Sequence, residues 1–154
     1  MGVKDHGVGL TIYRNFENVS KGTNVTIYCI LKQLESFNKR HGCYPEVLYL
    51  QVDGGSENAN QYLLALLELL VVKRCCREVY FTRLPAGHTH EDIDAAFAVL
   101  WVCFKALPCL TIQLYKSMIE DAFKASCLHA TVEDIYAVPD YAMLLSPCII
   151  KGDI

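Results

Sequence analysis

The chain alternates between two kinds of apolar pattern, and this alternation limits the folds open to it more than any other feature. Short runs rich in Val, Ile, Leu and Tyr have the length of strands, and between them apolar residues recur at every third or fourth position, as in amphipathic helices. The predicted order is strand, helix, strand, helix, strand, helix, over residues 8–16, 24–41, 46–53, 61–75, 78–84 and about 89–107. This order predicts an α/β layer structure with parallel strands and right-handed crossovers.

Finer features of these segments predict their surroundings. Residues 8–16 are interpreted as the second arm of a hairpin, and the "EVLYLQVD" strand is apolar on both faces, as in a central strand covered on both sides. A fourth helix is predicted near 111–126, followed by a short docking segment, "VEDIYAVPDYAMLL". The predicted buried stripe of the third helix consists of Ile93, Phe97, Leu100, Trp101 and Phe104.

Composition narrows the class of protein. The 154 residues fit one domain, and a 53% hydrophobic, 20% charged chain does not belong with disordered sequences. The net charge of −3 gives no overall basic field of the kind that attracts nucleic acid. Two local basic clusters, within 39–41 and 73–83, are more typical of solvated helix ends than of a binding surface.

The cysteines and the apolar runs predict a compartment. None of the eight cysteines forms a Cys-x-x-Cys pair, and no Cys/His zinc spacing is present. Several lie in apolar runs, so we expect buried free thiols in a reducing compartment. The longest apolar run, "LLALLELLVV", is too short to cross a bilayer and contains Glu68. We expect a soluble intracellular protein with no membrane segment.

A carboxylate ends the second predicted strand. Asp53 follows "LYLQV" and precedes two glycines, with Glu57 and Asn58 on the same turn. A carboxylate at the end of a buried strand suits a divalent cation such as Mg²⁺, which prefers oxygen ligands and keeps several waters. Because Asp-Gly is also a common turn, Asp53 is equally typical of a residue that caps the turn.

The stretch "LPAGHTHEDIDAAF", residues 84–97, follows the third predicted strand. In sheets of parallel strands, sites form at the carboxyl ends of the strands, so this stretch and Asp53 are expected at one edge. Glu91 and Asp94 share a helix face. His88 and His90 have the chemistry of metal ligands, phosphate binders or partners of the acids. The alternative is a charged first helical turn favoured by the helix dipole.

These two stretches together resemble a known family. "QVDGGSENAN" followed by "LPAGHTHEDIDAAF" is similar to an uncharacterised, transposon-derived eukaryotic domain family, and the element order resembles the ribonuclease H-like core of DDE/D transposases and retroviral integrases. The resemblance covers residues 8–145. It implies an α/β fold with a ribonuclease H-like mixed sheet flanked by helices, and a domain that processes DNA in the nucleus.

The resemblance also implies roles for individual residues. Asp53 would be the second catalytic acid, and the third would be Asp94, with Glu91 or Asp92 in reserve. Asp53, Asp94 and Glu91 would bind Mg²⁺ or Mn²⁺ for two-metal phosphodiester cleavage or strand transfer. Supporting roles would fall to His88, His90, Glu57 and Asn58.

One part of the family pattern is not found. A ribonuclease H-like core starts with a strand that carries the first acid, whereas this chain is predicted to start at the second strand, and Asp5 is a poor substitute. We therefore expect residues 1–154 to form a single domain that is incomplete at its N-terminal edge, with 108–154 as a helical, docking extension. Little or no cleavage is expected from this chain alone, as from a fragment or a remnant that has lost catalysis.

Two other functions remain open. A domesticated remnant could serve as a non-catalytic DNA- or protein-binding module. His88, His90 and Asp92 also resemble the His-x-His-x-Asp-His zinc signature of metallo-β-lactamase-like hydrolases, but Ile93 stands where that signature has its last histidine. An isoleucine offers zinc no ligand atom.

Overall fold

A computed structural model describes residues 1–53, 55, 58, 60–84, 92–124 and 129–149. In chain order its elements are β1 (Gly2–Asp5), β2 (Gly9–Asn15), α1 (Thr23–His41), β3 (Val47–Val52), α2 (Gln61–Val72), β4 (Glu78–Arg83), α3 (Asp92–Ala106), α4 (Ile112–Lys124), β5 (Ala130–Ile135) and α5 (Tyr141–Leu145), followed by a 3₁₀ turn, Ser146–Cys148. The protein is therefore a mixed α/β structure, as predicted. None of the helices in these ranges is both long and apolar enough to cross a membrane.

The chain divides into two compact units, each built from two stretches of sequence. The first unit comprises Met1–Val19 and His90–Tyr136, and the second comprises Ser20–Thr89 and Ala137–Ile154. The strands follow the same division, with β1, β2 and β5 in one sheet and β3 and β4 in another. The sequence had predicted 8–16 as a strand alongside 46–53 and 78–84, whereas β2 belongs to a different sheet from β3 and β4.

The first unit is a three-stranded sheet with two helices against it. β1 and β2 form an antiparallel hairpin, which confirms the predicted second arm, and β2 pairs in parallel with β5. The expectation that the chain starts at the second strand was wrong, because Gly2–Asp5 is itself a strand that forms by pairing with β2, and Asp5 is its last residue. One face of the sheet packs on α3 and α4. The buried residues of this cluster are Leu10, Ile12, Ala96, Leu100, Ile119, Phe123 and Ala130.

The predicted buried stripe of α3 is partly wrong. Leu100 is buried together with Ala96, but Trp101 is 63% exposed and Phe97 is 39% exposed. The 3.6-residue period shows that a helix has an apolar side, but when apolar residues cover most of its circumference the period no longer selects which side is buried. Packing against Ile119 and Phe123 of α4 makes that selection.

The second unit packs helices on one face of a two-stranded parallel sheet. Residues of β3 and β4 on that face, such as Leu48, Leu50 and Phe81, contact a cluster contributed by α1, α2 and α5. The buried members are Ile27, Ile30, Leu34, Leu63, Ala65, Leu66, Leu67, Leu70 and Leu145. α1 ends at Gly42, whose φ of 75° and N–H bond to the Asn38 carbonyl form the expected left-handed C-terminal cap.

The opposite face of this sheet is open to solvent. Tyr49 and Tyr80 are cross-strand partners whose rings stack with centroids 4.9 Å apart, and Tyr49 is 75% exposed. The prediction that this strand is covered on both faces was therefore wrong. Tyr49 counts as apolar in the sequence pattern because of its aromatic ring, but this ring is stabilised by stacking on the Tyr80 ring rather than by burial.

The predicted docking segment is divided between the two units. Its first half is β5, which lies beside β2, and its second half contains α5, which packs against α1 and α2 in the second unit. Asp140 caps α5 by accepting a hydrogen bond from the Met143 backbone N–H, and also accepts one from Asn24 Nδ2 on α1. These bonds hold the pKa of Asp140 below its usual value.

Candidate functional site

The candidate site lies at the carboxyl end of β3. Residues 47–52 pair in parallel register with 78–83, so β3 and β4 end at the same edge of their sheet. The Leu84 N–H extends this pairing by donating to the Val52 carbonyl at 3.1 Å. Asp53, an exposed residue, comes immediately after β3 at this edge. This is the position at which parallel sheets place ligand-binding residues.

One oxygen of Asp53 is held by two N–H groups. Oδ1 accepts a bond from the backbone N–H of Gly55 at 2.9 Å and one from Asn58 Nδ2 at 2.5 Å. The bond to Gly55 is the one expected if Asp53 caps the turn. Oδ2 has no hydrogen-bond partner among the described residues. The carboxylate is therefore fixed through one oxygen and retains the other for a ligand.

Asn58 in turn is held by a residue of α1. Thr26 Oγ1 donates to Asn58 Oδ1 at 2.9 Å. Thr26 is only 2% exposed, and no other polar residue in the described ranges is buried to this extent. Asn58 was predicted from the sequence to have a supporting role, whereas Thr26 was not identified. The sequence does place the Thr26 hydroxyl between two apolar residues, Val25 and Ile27, within a helix. Such a pattern suggests a buried hydrogen bond but does not identify the residue that accepts it.

The second asparagine of this turn has a different task. Asn60 Oδ1 accepts from the backbone N–H groups of Tyr62 and Leu63 at 3.0 and 3.1 Å, so it caps the N-terminus of α2. Its Nδ2 donates to Thr23 Oγ1 at 2.8 Å. Asn58 and Asn60 therefore each bind a threonine near the start of α1, and of the two it is Asn58 that also donates to Asp53.

The other predicted site residues fall into three groups. Asp94 is an exposed residue of α3 in the first unit, whereas Asp53 belongs to the second unit. Asp92 is the first residue of α3, and its side chain lies outside the described part of the chain. The remaining predicted residues lie outside the described residues, namely Glu57, His88, His90 and Glu91. His88 and His90 are also the histidine ligands of the alternative zinc site.

The donor atoms of Asp53 suit a magnesium-type ion. A carboxylate oxygen is the ligand type that Mg²⁺ prefers, and one or two protein carboxylates with several waters are its common coordination. In the ranges that the structure describes, no group of three or more His, Cys, Asp or Glu side chains is arranged to hold a metal. Asp53 therefore has the chemistry of a single Mg²⁺ ligand, and the described residues do not supply a complete set of ligands around it.

The basic cluster at the end of α1 makes contacts within its own helix. Lys39 Nζ lies 2.9 Å from Glu35, and Lys32 lies 3.0 Å from the same carboxylate. The hydrogen bonds from Lys39 and then Lys32 lower the pKa of Glu35 to about 2. Arg40 donates to Ser36 Oγ at 2.8 Å. These contacts are those of a solvated helix end.

The second basic cluster borders a groove at the opposite end of β3 and β4. Arg77 binds the carboxylates of Glu46 and Glu78, so its charge is balanced locally. The groove has a volume of about 510 Å³ and is lined by Tyr44, Glu46, Val71, Arg74, Cys75, Cys76 and Arg77. Burial raises the pKa of the Cys76 thiol, which is the behaviour of a structural rather than a reactive cysteine.

Comparison with known proteins identifies a family without naming an activity. Residues 1–153 match the family described as "Domain of unknown function (DUF7869)". No curated protein matches the chain, and no solved structure matches it. Because the family match extends over nearly the whole sequence, the chain belongs to the DUF7869 family.

Proposed function

We propose that this chain is a transposase- or integrase-like nucleic-acid-processing domain with a ribonuclease H-like core, whose reaction, in a core with its full set of acids, is metal-assisted phosphodiester cleavage or strand transfer. The observation that carries the proposal is the Asp53 carboxylate at the carboxyl end of two parallel strands. Its Oδ1 is held by Gly55 and Asn58, and its Oδ2 is not engaged by any described residue. A carboxylate held in this way is preorganised to bind a cation.

Each residue has a defined task in this proposal. Divalent ions, Mg²⁺ or Mn²⁺, activate the attacking oxygen and stabilise the leaving oxygen in this class of reaction. Asp53 would hold a metal ion through Oδ2, and the family resemblance favours Asp94 as a further acid, with Glu91 and Asp92 as alternatives. His88 and His90 position a phosphate group or orient the acids. The substrate is DNA, and a domain with this substrate acts in the nucleus.

The test combines metal binding with DNA cleavage. Mn²⁺ affinity is measured by water-proton relaxation, and nicking of a supercoiled plasmid in Mn²⁺ is measured for the wild type, Asp53→Asn and Asp94→Asn. Each substitution removes a proposed ligand, so each should weaken Mn²⁺ binding and any nicking by roughly 100-fold. The control is Asp121→Asn, which alters an exposed aspartate of α4 that is paired with Lys124 and has no proposed role. Undiminished binding and nicking in Asp53→Asn or Asp94→Asn would refute the assignment of that residue.

A second candidate function is a non-catalytic protein-binding module. The observation that favours it is the solvent-exposed apolar surface on α3, where Val99, Trp101 and Val102 are 43%, 63% and 67% exposed. Val99 and Val102 are three positions apart and so share a helix face, and exposed apolar surface of this kind marks interaction sites in many proteins. A wild-type chain that does not bind Mn²⁺ would favour this function over the first.

A further inference from the structure

A buried threonine of α1 is linked to Asp53 through one intervening side chain. Thr26 donates to Asn58, and Asn58 donates to Asp53 Oδ1, over distances of 2.9 and 2.5 Å. We propose that Thr26 is a positioning residue that, through Asn58, fixes the Asp53 carboxylate so that it binds a divalent cation through Oδ2 alone. The inference rests on the proposed function, in which Asp53 is a metal ligand.

The direction of the two hydrogen bonds follows from the chemistry of the three groups. An ionised carboxylate only accepts hydrogen bonds, so the amide of Asn58 must turn its Nδ2 towards Asp53. Its carbonyl oxygen then faces Thr26, and the threonine hydroxyl must be the donor. The carboxylate therefore sets the orientation of Asn58, because the threonine hydroxyl could accept from a reversed amide whereas Asp53 could not donate to it.

Burial makes Thr26 a firm anchor. The residue is 2% exposed and lies between Val25 and Ile27, which are 4% and 0% exposed, so its side chain is surrounded by packed neighbours. A threonine is also stiff about χ1 because its β-carbon is branched. A buried hydroxyl left without a partner is costly, which favours the bond to Asn58. Asn58 is only half-buried and Asp53 is exposed, so they need this support.

The hydrogen bonds to Asp53 decide which of its two carboxylate oxygens is available to a metal ion. With Oδ1 occupied by the N–H groups of Gly55 and Asn58, Asp53 offers Oδ2 as a single ligand atom. Residues that orient a metal ligand in this way commonly change metal affinity by 10- to 100-fold when they are replaced. Loss of the Thr26 hydroxyl should therefore weaken binding without removing any ligand.

The chain contains a matched control for this experiment. Thr23 accepts a hydrogen bond from Asn60 Nδ2 at 2.8 Å, so it also links α1 to the turn before α2. That bond does not lead to Asp53. Thr23→Val and Thr26→Val therefore remove the same chemical group from the same helix, and only the second disconnects the carboxylate.

Two measurements on the full chain test the inference. In Thr26→Val we expect Mn²⁺ binding about 10-fold weaker than in the wild type, restored by Thr26→Ser, with no change in Thr23→Val. The amide resonance of Gly55, whose N–H donates to Asp53 Oδ1, should shift in Thr26→Val and stay in place in Thr23→Val. The second measurement needs no metal.

The possible results distinguish a failure of the positioning role of Thr26 from a failure of the metal role of Asp53. If Asp53→Asn weakens Mn²⁺ binding but Thr26→Val matches Thr23→Val in both measurements, the positioning role is wrong and the metal role of Asp53 stands. If Asp53→Asn binds Mn²⁺ like the wild type, the metal role fails, and with it the proposed Oδ2 ligation. The Gly55 resonance then shows separately whether Thr26 orients the carboxylate.

A second variant keeps the test decisive if Thr26→Val folds poorly. Asn58→Ala removes the intervening amide from a half-buried turn position, so it should weaken Mn²⁺ binding to the same extent as Thr26→Val. Because the two residues act in series, the double variant should bind no more weakly than either single variant. Wild-type affinity in Asn58→Ala, or additive losses in the double variant, would overturn the series arrangement.

Discussion

At the scale of single residues, the ion pairs differ in how far water reaches them. Asp134 on β5 has a side chain only 10% exposed, and its Oδ1 lies 2.8 Å from Arg14 Nε while its Oδ2 lies 3.0 Å from Lys116 Nζ. The hydrogen bond from Arg14 is the main cause of a lowered Asp134 pKa. In contrast, the pair of Asp121 and Lys124 on α4 is exposed on both sides. Only the first pair is expected to matter for stability.

We therefore predict that Asp134→Asn lowers the free energy of unfolding by about 1.5–3 kcal/mol at pH 7, because charge-assisted bonds to a shielded carboxylate are lost. The folded-state pKa of Asp134 is below its unfolded value of about 3.9, so its stabilisation is complete above that value and is lost as pH falls through the folded pKa. Urea unfolding from pH 7 to pH 3 should show the wild-type advantage shrinking towards acid pH.

The matched control for this prediction is Asp121→Asn, which should change the free energy of unfolding by less than about 1 kcal/mol. Equal stability of Asp134→Asn and the wild type at pH 7 would contradict the prediction. An advantage that stays constant down to pH 3 would show that the ionised carboxylate is not its source.

The candidate site shows at this scale what local sequence can predict. Asp53 and Asn58 were identified because they stand close together in a turn after a predicted strand. Thr26 was missed because its partner lies 32 positions away along the chain. A hydrogen bond between distant segments depends on how helices and strands pack, which local pattern does not encode.

At the scale of elements, the start of α2 depends on one side chain. Asn60 accepts the N–H groups of Tyr62 and Leu63, two of the donors that a helix N-terminus leaves without helical partners. The other polar atom of its amide binds Thr23 on α1. An aspartate at this position keeps the oxygen acceptor that caps α2, whereas an alanine removes it.

We predict that Asn60→Ala lowers the free energy of unfolding by about 1 kcal/mol or more relative to Asn60→Asp, since only the aspartate still caps the helix. Urea unfolding of both variants measures the difference. Amide hydrogen exchange at Tyr62 and Leu63 should be faster in Asn60→Ala than in Asn60→Asp. Indistinguishable stabilities of the alanine and aspartate variants would show that capping by this residue contributes nothing.

Helices were the elements that the sequence predicted best. α1 was predicted as 24–41 with Gly42 after it, and it is observed as Thr23–His41 with a Gly42 cap. The predicted segment near 111–126 is α4, Ile112–Lys124. Helical period and terminal residues act within a few positions, so sequence carries them directly. β5 was missed as a strand because "ATVEDI" becomes one by pairing with β2.

At the scale of the whole molecule, the first unit joins segments that are far apart in sequence. β2 near the N-terminus pairs with β5, and Leu10 and Ile12 share a cluster with Ile119, Phe123 and Ala130. Ile119 on α4 is fully buried in this cluster. A cavity at Ile119 should therefore weaken a hairpin more than 100 residues away, whose contacts to the cluster come through Leu10 and Ile12.

We predict that Ile119→Ala lowers the free energy of unfolding by about 2–5 kcal/mol. Amide exchange should accelerate at Leu10 and Ile12, because their packing partner is lost. Leu114→Ala on the same helix, where the side chain is 38% exposed, should cost much less, on the order of 0.5 kcal/mol. If both alanine variants were equally stable, the assignment of Ile119 to the core would be wrong.

Sequence alone determined the helix-forming segments, the strands β2, β3 and β4, the mixed α/β class and the turn that holds Asp53, because each depends on residues within a few positions of one another. The tertiary structure decided that the strands form two sheets, that residues 130–135 complete the first of them, which side of α3 is buried, and that Thr26 supports Asp53 through Asn58. These features depend on the choice among competing apolar faces and polar partners distant in sequence, and that choice is made by packing and hydrogen bonding in the folded chain.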